Sequence, residues 1–173
     1  MALKVNFFAP VYQREQVRKD AEFGLNDGIQ LNGEEGMAYS TTDEAEKPWN
    51  ACVKNTESHE VKFLPLDHNI IIHPAPSETY SLCDGMLWHD KEWLAFVELK
   101  VRGGGWIQNN IDQLQSTIGL FNENHDYKTF RHREAYAANR KHPAYHYSHK
   151  VQMNEFRSKT KFRLIIQSTI VVK

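Results

Sequence analysis

The chain has few cysteines and no long apolar runs, and both absences exclude classes of protein. Its 173 residues include two cysteines, Cys52 and Cys83, too few for a disulfide framework or a cysteine-based zinc site. No apolar run is long enough to cross a membrane, and the N-terminal stretch lacks the apolar core and cleavage site of a signal peptide. These absences predict a cytoplasmic protein with no membrane partner.

Net charge is also nearly absent, but the charges are unevenly distributed. The 21 Lys and Arg residues almost balance the 22 Asp and Glu residues. After Tyr127, however, eleven cations stand against two acids, whereas the first sixty residues have six cations and eleven acids. A basic final third favours binding to a phosphate backbone, although an ordinary solvated surface is the alternative. The predicted nucleic-acid-binding residues are Arg131, Arg133, Arg140 and Lys141.

The length suits a single domain spanning 1–173, and its apolar patterns predict a mixture of strands and helices. The most distinct helix is Trp106–Glu123, in which apolar residues recur at steps of three and four. The other predicted helices are Pro10–Glu22 and Lys150–Lys159. The predicted strands are Lys4–Ala9, Trp49–Lys54, part of Val61–Ile72, Tyr127–Ala138 and Phe162–Val172. This order predicts an α/β or mixed α+β fold, with a central mixed β-sheet flanked by helices.

The most informative stretch runs from Leu82 to Gln115. Asp84 begins one apolar run, a turn follows at 89–91, and a second run, Trp93–Val101, contains Glu98-Leu99-Lys100. Because side chains alternate along a strand, Glu98 and Lys100 point to the same side. If the two runs pair as a hairpin, Asp84 approaches Glu98. Two carboxylates and an ammonium group then meet at one place.

Those three residue types suit metal-assisted hydrolysis of a phosphodiester. Two carboxylates can hold a hard divalent cation such as Mg²⁺ or Mn²⁺. A lysine beside the cation can orient or deprotonate the attacking water. Asp84, Glu98 and Lys100 are therefore the candidate catalytic residues.

The arrangement resembles the PD-(D/E)XK nuclease superfamily, which has the restriction-endonuclease-like fold. The match covers about 82–122 and consists of Asp84, a turn, Glu-x-Lys within an apolar strand, and a helix. One departure is Cys83, which stands where proline is usual. The resemblance implies a nuclease core at about 49–173 and a Mg²⁺ or Mn²⁺ ion held by Asp84 and Glu98.

The resemblance also implies roles for neighbouring groups. The main-chain carbonyl of Leu99 would be a further metal ligand, and Lys100 would position or activate the water. Some families of this superfamily place a glutamine on the following helix near the site; Gln113 is the candidate, with Gln115 close behind. The implied partner is nucleic acid, DNA or RNA, and a homodimer is compatible with this hypothesis.

Other interpretations remain open at this stage. Glu-x-Lys is a weak signal, since Glu60-Val61-Lys62 repeats it without a preceding aspartate strand or a following helix. Glu98 and Lys100 could simply face solvent on an edge strand. The same fold could also serve as a non-catalytic module that binds nucleic acid or protein, with the three charged residues forming a salt-bridge cluster.

Two further patterns carry weaker hypotheses. Gly103-Gly104-Gly105 before the helix could bring backbone amides to a phosphate, but a flexible connector is the simpler interpretation. His142, His146 and His149 have helical spacing that could suit zinc. Pro143 interrupts that run, and surface histidines or phosphate contacts are the simpler interpretation.

Overall fold

A computed structural model describes residues 2–28, 35–100, 105–141 and 149–173. These ranges contain two α-helices and nine β-strands in two sheets. The predicted mixed α+β class is confirmed. The helices are α1 (Trp106–Asn124) and α2 (Lys150–Thr160).

The larger sheet has five strands in the order β4-β5-β6-β7-β8. The strands β4, β5 and β6 pair antiparallel, whereas β6, β7 and β8 pair parallel. The bounds are β4 (Lys62–Pro65), β5 (Gly85–His89), β6 (Trp93–Lys100), β7 (His132–Asn139) and β8 (Arg163–Ile166). The predicted hairpin around the turn at 89–91 is thus present, and β6 lies at the centre of the sheet.

The smaller sheet has four strands in the order β2-β1-β3-β9. Its strands are β1 (Glu22–Asn26), β2 (Tyr39–Thr41), β3 (Ala51–Lys54) and β9 (Thr169–Val171). The strand β9 pairs parallel with β3, while β1 pairs antiparallel with both β2 and β3. The C-terminal residues therefore complete a sheet that begins near the N-terminus.

The two faces of the five-stranded sheet pack against different partners. One face, with Leu94 and Phe96, joins a buried cluster that includes Leu114, Ile118 and Phe121 of α1. The opposite face packs on the four-stranded sheet in a second apolar cluster. The elements therefore form three layers, with helices, the five-stranded sheet and the four-stranded sheet in that order. The apolar stripe predicted for α1 is the stripe that packs on the sheet.

The N-terminal elements predicted from the sequence are wrong. Residues 4–9 form no strand, and 10–21 form no helix. Instead, Arg18 makes an isolated bridge to Val61, and Glu22, the expected end of the helix, begins β1. Because apolar periodicity is weak in this stretch, tertiary contacts determine its structure. One such contact is the packing of Phe7 against α1 and β6.

The C-terminal half differs from prediction in two boundaries. The strand expected from Tyr127 begins at His132, because 127–129 form a 3₁₀ turn capped by the Asp126 side chain. The single strand expected over Phe162–Val172 is two strands, β8 and β9, that join different sheets. Local β propensity does not reveal such a change of sheet, since β-branched residues occur in both strands and do not specify a partner.

Neither described helix is long and apolar enough to cross a membrane.

Candidate active site

Asp84, Glu98 and Lys100 lie on the same face of the five-stranded sheet. Gly85 is paired with Val97, so the antiparallel register places Asp84 opposite Glu98 one step further along. Alternation sets Glu98 and Lys100 on the face of Leu94 and Phe96, which packs beneath α1. The three side chains that the sequence singles out therefore converge, at the end of β6.

Glu98 contacts Lys100 directly, and Asp84 is held by the main chain between those two residues. The Nζ atom of Lys100 lies 2.6 Å from Oε1 of Glu98. The main-chain N–H of Leu99 donates to Oδ2 of Asp84 over 2.6 Å. Glu98 is fully buried, and the Lys100 side chain is 27% exposed. Glu98 and Lys100 are thus not solvent-facing residues of an edge strand; β6 is a central strand and its glutamate is enclosed.

Helix α1 holds the segment that leads into Asp84. The Nε2 of Gln113 donates to the carbonyl of Leu82 at 2.7 Å and to Oγ of Ser81 at 3.0 Å. The main-chain N–H of Cys83 donates to Oγ1 of Thr117 at 2.8 Å. Proline has no N–H and could not make that last bond. Cys83 therefore makes a hydrogen bond to α1 that a proline at this position would lack.

Gly85 permits a close approach next to Asp84. A Cβ at this position would lie 2.4 Å from Cε2 of Phe63, well inside a van der Waals contact. The ring of Phe63 fills the space that a larger residue would occupy. Glycine here lets β4 and β5 pack tightly where the site begins.

Burial is the largest cause of a raised pKa in both carboxyl groups. Burial is the largest cause for Glu98, whose pKa rises to about 8; the charge of Asp84 raises it further, and Lys100 lowers it. Burial also raises the pKa of Asp84 to about 6, against the opposing effects of the Leu99 N–H and Lys100. A site that holds two carboxyl groups this far from their ordinary pKa values is poised to accept positive charge.

The site opens into a cavity of about 140 Å³ whose lining includes four acidic residues. Besides Asp84 and Lys100, its lining includes Asp27, Glu35 and Asp67. The charges of Asp67 and Asp27 contribute to the raised pKa of Asp84. Gln113 also lines the cavity, so the glutamine predicted from α1 lies at the site.

Asp67 is the residue that sequence analysis missed. It follows directly on Leu66, whose N–H donates to the carbonyl of Asp84 at 2.9 Å. The available signal was an aspartate just after the apolar strand β4. Antiparallel pairing places the end of β4 beside the start of β5, where Asp84 lies. His68 lies next to it, with Nε2 3.3 Å from Oδ2 of Asp67.

The donor set for a metal ion is small. Within the described ranges, no group of three or more His, Cys, Asp or Glu side chains is placed to hold a metal ion. What the site offers is two carboxylates, Asp84 and Glu98, and the carbonyl of Leu99. The Glu98 carboxylate is buried, and the ammonium group of Lys100 is its ion-pair partner. Carboxylate oxygens are the ligands that a hard divalent cation prefers.

The four predicted nucleic-acid-binding residues do not form one surface. Arg131 and Arg133 lie at the start of β7, whereas Arg140 and Lys141 follow its end. Since β6 and β7 run parallel, with Lys100 opposite Asn139, only the second pair lies at the end of the sheet that carries the site. Nearness in sequence was misleading here because an eight-residue strand separates the two pairs.

Several sequence patterns fall outside the described residues: Gly103, Gly104, His142 and His146. Gly105 is described; its φ of 79° is left-handed, and it caps the N-terminus of α1. Glycine tolerates this conformation, which most residues avoid. His149 immediately precedes α2.

Comparison with protein-family models, with curated proteins and with solved structures finds no match to this chain.

Proposed function

We propose that the protein is a Mg²⁺- or Mn²⁺-dependent nuclease of the PD-(D/E)XK type. The observation that carries the proposal is the meeting of Asp84, Glu98 and Lys100 at the end of β6, where Asp84 and Lys100 line an acidic cavity and Glu98 is buried and paired with Lys100. Asp84, Glu98 and the carbonyl of Leu99 would hold the cation. The cation would supply Lewis-acid stabilisation of charge on the scissile phosphate.

Each residue then has a distinct task. Asp84 is held in place by the Leu99 N–H, so its carboxylate is oriented before any ligand arrives. Glu98 is a buried carboxyl group whose ionised form is made unfavourable by burial, so a bound cation would stabilise that form. Lys100 reaches from β6 into the cavity, where its ammonium group can orient a water and stabilise negative charge on a phosphate.

The alternative is a non-catalytic module in which Glu98 and Lys100 form only a structural ion pair. Two observations favour it: the 2.6 Å distance between Nζ of Lys100 and Oε1 of Glu98, and the lack of a three-ligand His/Cys/Asp/Glu group among the described residues. In that case the module would bind nucleic acid or protein without cleaving it.

Calorimetry with Mn²⁺ and a cleavage assay on mixed DNA and RNA substrates separate the two functions. We expect one Mn²⁺ site in the wild-type protein and divalent-dependent cleavage of at least one substrate. Glu98→Gln should lose both, because it removes one of the two carboxylate ligands. Glu60→Gln, in the other Glu-x-Lys segment, should keep both. Mn²⁺ affinity that is the same in Glu98→Gln and wild type would rule out the assigned site.

A further inference from the structure

A second charged pocket, of about 370 Å³, lies at the opposite end of the five-stranded sheet. Its lining includes six cationic residues from four parts of the chain. They are Arg131, Arg133, Arg157, Lys161, Arg163 and Lys173. Only the first two are predicted from the sequence, because the other four are spread over 157–173 and meet only in the fold.

The topology brings these cations together. Parallel pairing aligns the start of β7 with the start of β6, with His132 opposite Trp93. The strand β8 begins beside them, with Arg163 opposite Glu134. Helix α2 ends at Thr160, shortly before β8, and so contributes the cations of its last turn.

Little negative charge offsets this cluster. Glu134 also lines the pocket, but it is buried and accepts hydrogen bonds from Nε1 of Trp93 and the hydroxyl of Tyr136. Among the described residues, Arg131 is the only one of the six cations with a carboxylate partner: Glu92, at 3.5 Å.

One of the arginines is held in a defined orientation. Arg133 donates through Nη1 to the carbonyl of Phe130 at 2.7 Å and through Nε to the carbonyl of Lys161 at 3.3 Å. Its guanidinium group also lies over the ring of Tyr127, 5.5 Å from the centroid. An arginine positioned in this way loses little freedom when it binds an anion.

Helix stabilisation explains only part of the cluster. Cations near a helix C-terminus interact favourably with the helix dipole, which accounts for Arg157 and for Lys161, the C-cap of α2. Arg131, Arg163 and Lys173 lie outside that helix and gain nothing from its dipole. Their side chains are exposed, so their positive charge is accessible to an external anion.

We propose that this pocket binds the phosphate backbone of a nucleic acid at a second contact, remote from the Asp84–Lys100 cavity. Exposed cations spread over several elements suit a run of phosphates better than a single one. The choice of nucleic acid as the polyanion rests on the proposed function. Binding at this pocket nevertheless needs neither the divalent cation nor the carboxylates of the other site.

The distance between the two sites predicts that affinity depends on the length of the nucleic acid. The eight residues of β7 at about 3.3 Å each place the two sites on the order of 25 Å apart. A duplex with about 3.4 Å per base pair needs roughly seven base pairs to span that distance. Shorter duplexes should derive no affinity from binding at the second site.

The test measures binding by fluorescence anisotropy, without divalent cations and in the Glu98→Gln background. Labelled single- and double-stranded DNA and RNA of graded length are titrated over a salt series. The variant combines Arg157→Ala, Arg163→Ala and Lys173→Ala, three exposed residues. The control combines Lys4→Ala, Lys19→Ala and Lys62→Ala, which removes the same charge from exposed positions elsewhere.

We expect the pocket variant to bind nucleic acid about tenfold or more weakly than its parent at low salt. The slope of log affinity against log salt concentration should be flatter by up to about three units, one for each phosphate that the three side chains no longer neutralise. The control should follow the parent, and Arg157→Lys with Arg163→Lys should retain most of the slope. Equal weakening in variant and control would overturn the proposal, and so would the absence of binding to every oligonucleotide even at low salt. Because cleavage plays no part, a protein without nuclease activity would still give the expected result.

Discussion

Glu60-Val61-Lys62 and Glu98-Leu99-Lys100 are two copies of the same short pattern, placed in different parts of one sheet. Glu60 lies at the surface, where it pairs with Lys19 at 2.7 Å and its side chain is 65% exposed. Glu98 is fully buried on the central strand and pairs with Lys100. The first copy leads into the edge strand β4, and the second ends β6 beneath α1.

The pKa of the glutamate is shifted in opposite directions in the two copies. A hydrogen bond from Lys19 lowers the pKa of Glu60 below its ordinary range. Burial and the nearby Asp84 raise the pKa of Glu98 to about 8. Residue type and spacing are the same, so the difference comes from what surrounds each carboxyl group: water in one case, and a second carboxylate inside the protein in the other. The pair supplies matched controls for the site.

The largest expected difference is in catalysis. Lys100→Ala should reduce cleavage by about 10²- to 10⁴-fold, the usual range for a group that assists proton transfer or charge stabilisation, while Mn²⁺ binding is retained. Lys62→Ala should leave cleavage unchanged. Initial rates at saturating Mn²⁺, with calorimetry on both variants, check this; equal rates in the two would remove Lys100 from the mechanism.

The next expected difference between the two copies is in how the free energy of unfolding of the metal-free protein depends on pH. Since the pKa of Glu98 is raised to about 8 from an ordinary value of 4.5, the folded protein binds a proton that the unfolded chain releases between these values. The stability that the folded protein gains from this bound proton is fully present below the ordinary pKa of Glu98 and is lost as pH rises towards 8. Glu98→Gln should therefore be stabilised relative to wild type by about 1–3 kcal/mol at high pH, the scale of relieving a poorly satisfied buried polar group.

Denaturant unfolding between about pH 5 and about pH 8.5 measures that stabilisation. It should shrink towards the acidic end, where the unfolded chain also binds the proton and the two states no longer differ in the protonation of Glu98. Glu60→Gln should show no stabilisation that grows with pH, since the lowered pKa of Glu60 has the opposite sign. A constant difference between Glu98→Gln and wild type at every pH would mean that Glu98 does not titrate in this range.

The smallest expected effect tests the support from α1, which only the second copy has. Gln113→Ala removes the hydrogen bonds to Leu82 and Ser81 and should lower the free energy of unfolding by about 1 kcal/mol. If Gln113 only positions the strand, Mn²⁺ affinity and the rate should fall modestly together. Gln108→Ala, which alters an exposed pair with Asp112, is the control. A rate reduction as large as that of Lys100→Ala would instead place Gln113 in direct contact with the substrate.

Prediction from sequence succeeded where the local pattern and the packing agree. The hairpin of β5 and β6 and the helix α1 have apolar periods that match their buried faces, so both elements formed as expected and brought Asp84 opposite Glu98. It failed in 4–21, where the periodicity is poor and an extended segment took the place of a strand and a helix. It also failed to split Phe162–Val172 between two sheets, because β propensity does not specify a partner.

The candidate site shows the same division. Alternation along β6 was enough to place Glu98 and Lys100 on one face, and the short turn at 89–91 was enough to bring Asp84 beside them. Asp67 lines the cavity because β4 pairs antiparallel with β5. The sequence shows an aspartate just after an apolar strand, but it does not show that this strand pairs with β5. Likewise, β7 separates Arg131 from Arg140, although they lie close in sequence.

The sequence by itself determined the mixed α+β class, the hairpin, the long helix and the three charged residues that meet, because each depends on a repeat of two or about 3.6 residues. The tertiary structure alone decided which Glu-x-Lys copy is buried, that Cys83 can use its N–H where proline could not, and that six scattered cations share one pocket. Burial, register and the direction of neighbouring strands depend on contacts between distant parts of the chain. Those contacts set the charge state of a carboxyl group, which its neighbours in sequence do not reveal.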